Sequence, residues 1–145
     1  MAEKENLQLV EEMIAAVNAR DLDRYLQCID ATYVGESELA PGPVLGPGGA
    51  RQMLDMLLKA FPDLRIDVEQ MLASGNFVIT RARLTGTQKG TYAGVAPTNK
   101  SVTWRGCNVI EIRNGKAIRS RVYADNVSLL QQLGAVSIPR ATAAG

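Results

Sequence analysis

The stretch ADNVSLLQQLG, from Ala124 to Gly134, sets one acidic residue before an apolar run at helical spacing. The chain contains no histidine, so acid–base chemistry would have to be carried by a carboxylate, Tyr, Lys or Cys. A carboxylate at the mouth of an apolar cavity is hard to ionise, so it can take up and return a proton near neutral pH. Asp125 is the candidate for this role. It is also well placed to cap the helix that follows, and the sequence leaves both roles open.

Residue content excludes several other kinds of chemistry. Ser–His–Asp and Cys–His catalysis both need a histidine, which this chain lacks. Two cysteines without histidine offer little to a transition metal, so we expect no metal. A net charge of +1 provides no basic surface for nucleic acid. No apolar run approaches the ~20 residues of a membrane helix, so we expect no membrane partner.

Length and composition are those of an ordinary globular domain. The chain has 145 residues, of which 46% are hydrophobic and 21% charged, and we expect one domain over residues 1–145 with a flexible tail at 135–145. The start, MAEKEN, lacks the basic and apolar parts of a signal peptide. Cys28 and Cys107 are interpreted as free thiols. These features predict a cytoplasmic protein.

Apolar spacing predicts three helices in the first half of the chain. Intervals of three and four residues indicate a first helix through Leu7, Val10, Ile14 and Val17. Asp21 can cap a second helix that runs to Ile29. The Gly- and Pro-rich segment from Gly35 to Gly49 forbids regular structure through most of its length. Helical spacing resumes in ARQMLDMLLKAF and ends at Pro62.

After Pro62 the pattern alternates with a period of two, which indicates strands. Four are predicted, and they cover Leu64–Val68, Phe77–Thr87, Ser101–Ile112 and Ala117–Ala124. A short last helix follows, closed by Gly134. Helices followed by hairpin-linked strands predict an α+β fold, in which three N-terminal helices and a curved antiparallel sheet enclose a conical pocket.

Alternation along the strands also predicts which side chains face that pocket. The inward set comprises Val78, Thr80, Ala82, Trp104, Asn108, Ile110, Ser120 and Val122. Met53 and Leu57 on the third helix form either pocket wall or core. Asn108 is a polar group on an apolar face, and its amide is either bonded to backbone or free to orient a ligand. Arg81 and Arg83 face outward, toward solvent or a partner subunit.

Two segments, GTQKGTYAGVAPTNKSVTWRG and RNGKAIRSRVYADNVSLLQQLG, resemble the SnoaL-like polyketide cyclase family. This family belongs to the superfamily of ketosteroid isomerase and nuclear transport factor 2. The segment AFPDLRI matches the family's F-P-D-L, and the resemblance extends from the first helix to Gly134. It implies a cystatin-like α+β barrel and a homodimer formed through the outer sheet face. It also implies a small apolar or polyketide-like ligand and no cofactor.

The resemblance implies roles for individual residues as well. Asp125 occupies the position of the family's acid–base residue for intramolecular aldol ring closure. Gln88 replaces the histidine of the family's G-T-H-x-G motif. The candidate hydrogen-bonding partners of Asp125 are then Tyr33, Gln88, Tyr92 and Asn108.

Three functions remain open from the sequence. The first is a cofactor-independent cyclase or isomerase that uses Asp125 as its base. The second is an epoxide hydrolase of the limonene type, which needs an Asp–Arg–Asp arrangement, whereas the inward residues Ala82 and Leu84 are uncharged. The third is a non-catalytic, ligand-binding dimeric module in which Asp125 only caps its helix.

Overall fold

The structure, a computed structural model, describes residues 2–139. Its helices are α1 (Ala2–Asn18), α2 (Leu22–Leu26), α3 (Gly46–Ala60) and α4 (Asn126–Gln132). This confirms the prediction of three N-terminal helices and a short C-terminal one. Residues 135–139 have no regular structure, and residues 140–145 of the predicted tail lie outside the described part. Within the described residues, no helix is long and apolar enough to cross a membrane.

Six strands form one curved sheet in the order β2-β1-β6-β5-β4-β3. The strands are β1 (Ile29–Ser37), β2 (Val44–Leu45), β3 (Arg65–Ser74), β4 (Phe77–Thr87), β5 (Ser101–Arg113) and β6 (Lys116–Ala124). The four predicted strands are confirmed as β3 to β6. The ends of the last three change by at most one residue, whereas β3 continues past the predicted end at Val68 to Ser74. The α+β architecture predicted from the sequence is therefore confirmed.

The prediction of a purely antiparallel sheet was wrong, because β1 runs parallel to β6. The sequence pattern predicted a second helix that runs to Ile29, but α2 ends at Leu26. Ile29 already belongs to β1 and pairs with Ala117 of β6. β1 contains Thr32, Tyr33 and Val34, residue types that favour strands, but its small residues obscure the alternation. The sheet is thus mixed, and β1 adds a wall that the sequence did not predict.

The third helix begins earlier than predicted, at Gly46 rather than Ala50. Proline lies in its first turn, where the fixed backbone angle of Pro47 suits a helix and no N–H is needed. A Gly/Pro-rich sequence therefore starts this helix rather than preventing it.

One face of the sheet packs against α1, α3 and α4, and we call it the concave face. In β4 the buried and exposed residues alternate, with Val78, Thr80 and Ala82 buried and Ile79 and Arg81 exposed. This confirms the predicted inward and outward sets on that strand. The core also contains large buried side chains from outside the strands, among them Val10, Phe61, Leu64 and Leu129.

Candidate functional site

Six of the predicted pocket residues lie side by side on the concave face. Thr80, Asn108 and Val122 form one row across β4, β5 and β6, because Asn108 pairs with both of the others. Val78, Ile110 and Ser120 form the next row in the same way. Thr80, Val78, Ile110 and Ser120 are buried, and Asn108 and Val122 are partly buried.

One polar atom in these rows, Asn108 Oδ1, is buried without a hydrogen-bond partner within the described residues. Ser120 Oγ makes no hydrogen bond of good geometry there, but it is in hydrogen-bonding contact with the Tyr33 hydroxyl. The alternative in which this amide oxygen is bonded to backbone therefore does not hold. A buried acceptor left unsatisfied costs about 1–3 kcal/mol, so Asn108 Oδ1 is a cost to the free protein that a ligand could offset.

Tyr33 brings a buried hydroxyl to the same region from β1. Burial raises the pKa of Tyr33, and hydrogen-bonding contacts with Ser120 and Tyr25 offset part of that rise. The ring folds back over its own strand, so that a Cβ placed on Gly35 would lie 2.9 Å from the Tyr33 hydroxyl oxygen. Because Gly35 pairs with Ser120, this close approach brings the tyrosine hydroxyl beside the serine.

Tyr25 and Gly35 are members of this cluster that the sequence analysis missed. Burial is also the main cause that raises the pKa of Tyr25. Both residues follow from the position of β1 and α2 against the sheet. A strand assignment for IDATYVGES would have placed Tyr33 and Gly35 on one face and revealed the contact.

A row of small residues runs beside Asn108 toward the end of β6. Ala82, Gly106 and Ala124 pair across three strands. A Cβ on Gly106 would meet Leu84 Cδ1 at 3.5 Å and Ala124 Cβ at 3.8 Å, which are ordinary contact distances. These small side chains thus form a continuous row across three strands of the concave face, and the chain leaves the sheet at Asp125, directly after Ala124.

Asp125 is the N-cap of α4, as one of the two sequence interpretations predicts. Its Oδ1 accepts a hydrogen bond from the Ser128 N–H at 3.0 Å, and the residue is exposed. Its own N–H donates to the Arg105 carbonyl at 2.9 Å, which fixes it at the end of β6. Oδ2 has no hydrogen bond within the described residues. Capping therefore occupies one carboxylate oxygen and leaves the other for a proton.

Gln88 is placed away from these groups and is completely buried. Its Nε2 donates to the Val95 carbonyl at 2.9 Å, and its Oε1 accepts from the Thr98 N–H at 3.1 Å and the Thr98 hydroxyl at 2.7 Å. The carboxamide thus holds the connection between β4 and β5 in shape. The structure gives Gln88 a position in this loop and no contact with Asn108 or Asp125.

The remaining predicted residues divide between core and surface. Trp104 is buried and packs on Phe61, with ring centroids 5.1 Å apart. Met53 and Leu57 are partly buried on α3. Val122 lines a surface depression of about 360 Å³ between the ends of β1 and β6 and the segment Glu38–Pro43. Val122 is also the direct neighbour of Asn108 across β5 and β6.

Charged groups are absent from the concave interior. The buried polar residues of the described chain are Asn6, Thr80, Gln88 and Ser120, none of which ionises. No cluster of acidic or cysteine side chains suited to a metal occurs between residues 2 and 139. The site therefore offers hydrogen bonds in its interior and a carboxylate only at its rim.

This fold is shared by many solved structures that combine the same helices and curved sheet. AclR of Streptomyces galilaeus, described provisionally as a hydroxylase, is 28% identical with a TM-score of 0.82, and the match covers 93% of this chain and 99% of AclR. A SnoaL-like protein of Jannaschia sp. CCS1 is 22% identical with a TM-score of 0.85, covering 93% and 95% of the two chains. IdmH of Streptomyces antibioticus, described provisionally as a polyketide cyclase, is 23% identical with a TM-score of 0.78, covering 89% and 98%.

These likenesses define the class as the α+β fold of nuclear transport factor 2 and ketosteroid isomerase. The sequence profile of the SnoaL-like polyketide cyclases matches residues 7–133. The chain therefore belongs to the SnoaL-like polyketide cyclase family. No curated protein sequence matches it significantly.

Proposed function

We propose that this protein binds an apolar, oxygen-bearing small molecule against the concave face and catalyses a proton transfer of the cyclase or isomerase type. The observation that carries the proposal is the buried oxygen Asn108 Oδ1, which has no hydrogen-bond partner within the described residues. Ser120, which contacts the Tyr33 hydroxyl, lies diagonal to Asn108 on the neighbouring strand, so one ligand of moderate size can reach both side chains. A few polar groups in an apolar surround are what fixes the orientation of a small ligand.

The proton acceptor in this proposal is Asp125. The row of small residues ends at Ala124, and the carboxylate follows directly. A carbon acid held against this row, with its carbonyl oxygen accepting from the Asn108 Nδ2 amide group and the Tyr33 hydroxyl, and with a hydroxyl of its own donating to Asn108 Oδ1, would lose a proton to Asp125 Oδ2. The resulting enolate would be stabilised by those hydrogen bonds, because preorganised donors favour developing negative charge. Attack on a second carbonyl gives ring closure, and reprotonation at another carbon gives isomerisation.

Ligand binding without turnover is a second candidate, favoured by the exposure of Asp125 and its use as a helix cap. The interior residues would then orient a ligand that is carried or sensed. The epoxide hydrolase hypothesis has less support, because the concave-face residues Ala82 and Leu84 are uncharged and the described interior holds no carboxylate.

Replacement of Asn108 by Leu tests the binding site. If the amide serves a ligand, Asn108→Leu removes an unsatisfied buried polar group, and the free energy of unfolding stays the same or rises by about 1 kcal/mol. The affinity for 2-naphthol, a flat apolar phenol, falls by about tenfold or more because its hydroxyl loses a partner. Urea denaturation and fluorescence titration measure the two effects.

The matched control is Asn76→Leu, the same exchange at an exposed position in the turn between β3 and β4. It should leave naphthol affinity unchanged. A loss of stability above about 2 kcal/mol in Asn108→Leu with unchanged naphthol affinity would mean that the amide is structural, and the proposal would fail.

We also propose that the outer side of the sheet, opposite the concave face, forms the homodimer that the family resemblance implies. We call this side the convex face. Leu72 and Ile79 pair on this face and remain 55% and 40% exposed. Arg81 and Glu111 on either side supply opposite charges for a symmetric contact. Ile79→Glu should convert a dimer to a monomer, as measured by light scattering. Met56→Glu, at an exposed position on α3, should leave the dimer intact. A monomeric unmodified protein would contradict the proposal.

A further inference from the structure

The first part of β5 lacks a strand on one side. β6 pairs with β5 only from Gly106 onward, because Gly106 lies opposite Ala124, the last residue of β6. Residues 101–105 of β5 pair with β4 on their other side. Backbone groups on such an edge need partners, since an unpaired edge is open to water or to a foreign strand.

The side chain of Gln132 takes the place of the missing strand. Its Oε1 accepts from the Thr103 N–H at 3.0 Å, and its Nε2 donates to the Thr103 carbonyl at 2.8 Å. Both backbone groups of one residue are thus paired, as they would be by a neighbouring strand. This pairing also fixes the orientation of the carboxamide. In the flipped amide Oε1 would face the Thr103 carbonyl, acceptor against acceptor, and Nε2 would face the Thr103 N–H, donor against donor.

Helix α4 is therefore attached to the edge of β5 at both ends. At its start the Asp125 N–H donates to the Arg105 carbonyl at 2.9 Å. At its end Gln132 binds Thr103, two residues away on β5. Leu129, between the two attachments, is completely buried. Two hydrogen-bonded ends and a buried centre leave this seven-residue helix little freedom to slide or rotate.

From this arrangement we infer that Gln132 is a positioning residue, which holds α4 and with it the Asp125 carboxylate at the end of the row of small residues. The inference rests on the proposed function for its catalytic consequence. Its structural part, the pairing of a glutamine side chain with the edge of β5, stands on the hydrogen bonds alone.

The test compares Gln132→Leu with Gln131→Leu. Gln131 is also exposed on α4, and its side chain makes no hydrogen bond within residues 2–139. Amide hydrogen exchange by NMR reports on Thr103 directly. We expect the Thr103 N–H to exchange about tenfold faster or more in Gln132→Leu and at the unmodified rate in Gln131→Leu. An unchanged Thr103 rate in Gln132→Leu would overturn the inference.

The second measurement uses 5-nitrobenzisoxazole, a carbon acid that a carboxylate base opens by removing one proton. We expect Gln132→Leu to lower kcat several-fold with an unchanged KM, because the substrate still binds but the base is less well aligned. Faster Thr103 exchange with an unchanged kcat would overturn the positioning role. If Asp125→Asn leaves the rate unaltered, the proposed function fails instead, and the exchange data still decide the edge pairing.

A conservative variant adds a pH-dependent readout. In Gln132→Glu the protonated acid can reproduce both hydrogen bonds, whereas the carboxylate faces the Thr103 carbonyl with no donor. We expect slow Thr103 exchange, after correction for the intrinsic rate, at low pH and faster exchange as the pH rises through about 4–5. The same pH dependence in Gln131→Glu would overturn the inference.

Discussion

Asp125→Asn is expected to abolish proton transfer while the protein stays folded. Asparagine caps a helix about as well as aspartate, so the hydrogen bond from the Ser128 N–H can be kept. An amide is not a base at neutral pH, however, and loss of a positioned general base typically costs about 10²–10⁴ in rate. Initial rates with 5-nitrobenzisoxazole, measured on protein whose unfolding curve matches the original, provide the test.

Asp21→Asn is the matched control for this substitution. Asp21 is the N-cap of α2, and its side chain accepts from the Arg24 N–H in the same manner. The exchange should leave the elimination rate unchanged. Equal rates for Asp125→Asn and the unmodified protein would show that Asp125 only caps its helix. A rate no higher than that of the same concentration of acetate would also contradict a catalytic role.

Gln88→Leu is expected to produce the largest loss of stability. The substitution removes three hydrogen bonds in a completely buried position and leaves the Thr98 N–H without its partner, whereas the Val95 carbonyl keeps the bond from the Tyr92 N–H. Each lost hydrogen bond costs about 1 kcal/mol and a group left without a partner costs more, so the free energy of unfolding should fall by about 3 kcal/mol or more. Urea denaturation measures this difference.

Gln131→Leu serves as the exposed counterpart, and its effect should stay within about 0.5 kcal/mol. A similarly small change in Gln88→Leu would mean that the loop from Gln88 to Thr98 holds its shape without the carboxamide. The structural account of Gln88 would then be wrong, and its predicted role toward a ligand would regain support.

Regular alternation explains why most of the sheet could be predicted from the sequence. In β4 every second residue from Val78 to Ala82 is buried, and the predicted ends of this strand, Phe77 and Thr87, are those observed. A strand with one buried face has a strong period of two. β1 lacks this signal in its sequence. The apolar residue Val34 is only half-buried, whereas its neighbours Tyr33 and Gly35 are buried, so apolar and buried positions do not coincide. Its parallel pairing with β6 joins distant segments, which local pattern does not report.

The candidate site was predictable to a different degree at each residue. The inward direction of Asn108 follows from strand parity, but its unpartnered oxygen depends on which groups the other elements bring near it. The cap at Asp125 follows from a local rule, and the structure shows it. The burial of Gln88 does not follow locally, because its partners at Val95 and Thr98 become neighbours only when the loop closes.

The central claim is that the Asn108 carboxamide is reserved for a ligand, and NMR of its side-chain NH₂ group tests this directly. The unliganded protein and a complex with 2-naphthol would be compared in ¹⁵N-labelled material, with assignment from Asn108→Leu. The account predicts that naphthol shifts the Asn108 side-chain signals. It also predicts contacts of naphthol with Val122, which pairs with Asn108, and with Ala124, the next residue on the same face of β6. Unmoved Asn108 signals at saturating naphthol, with the shifts confined to the outer surface, would contradict it.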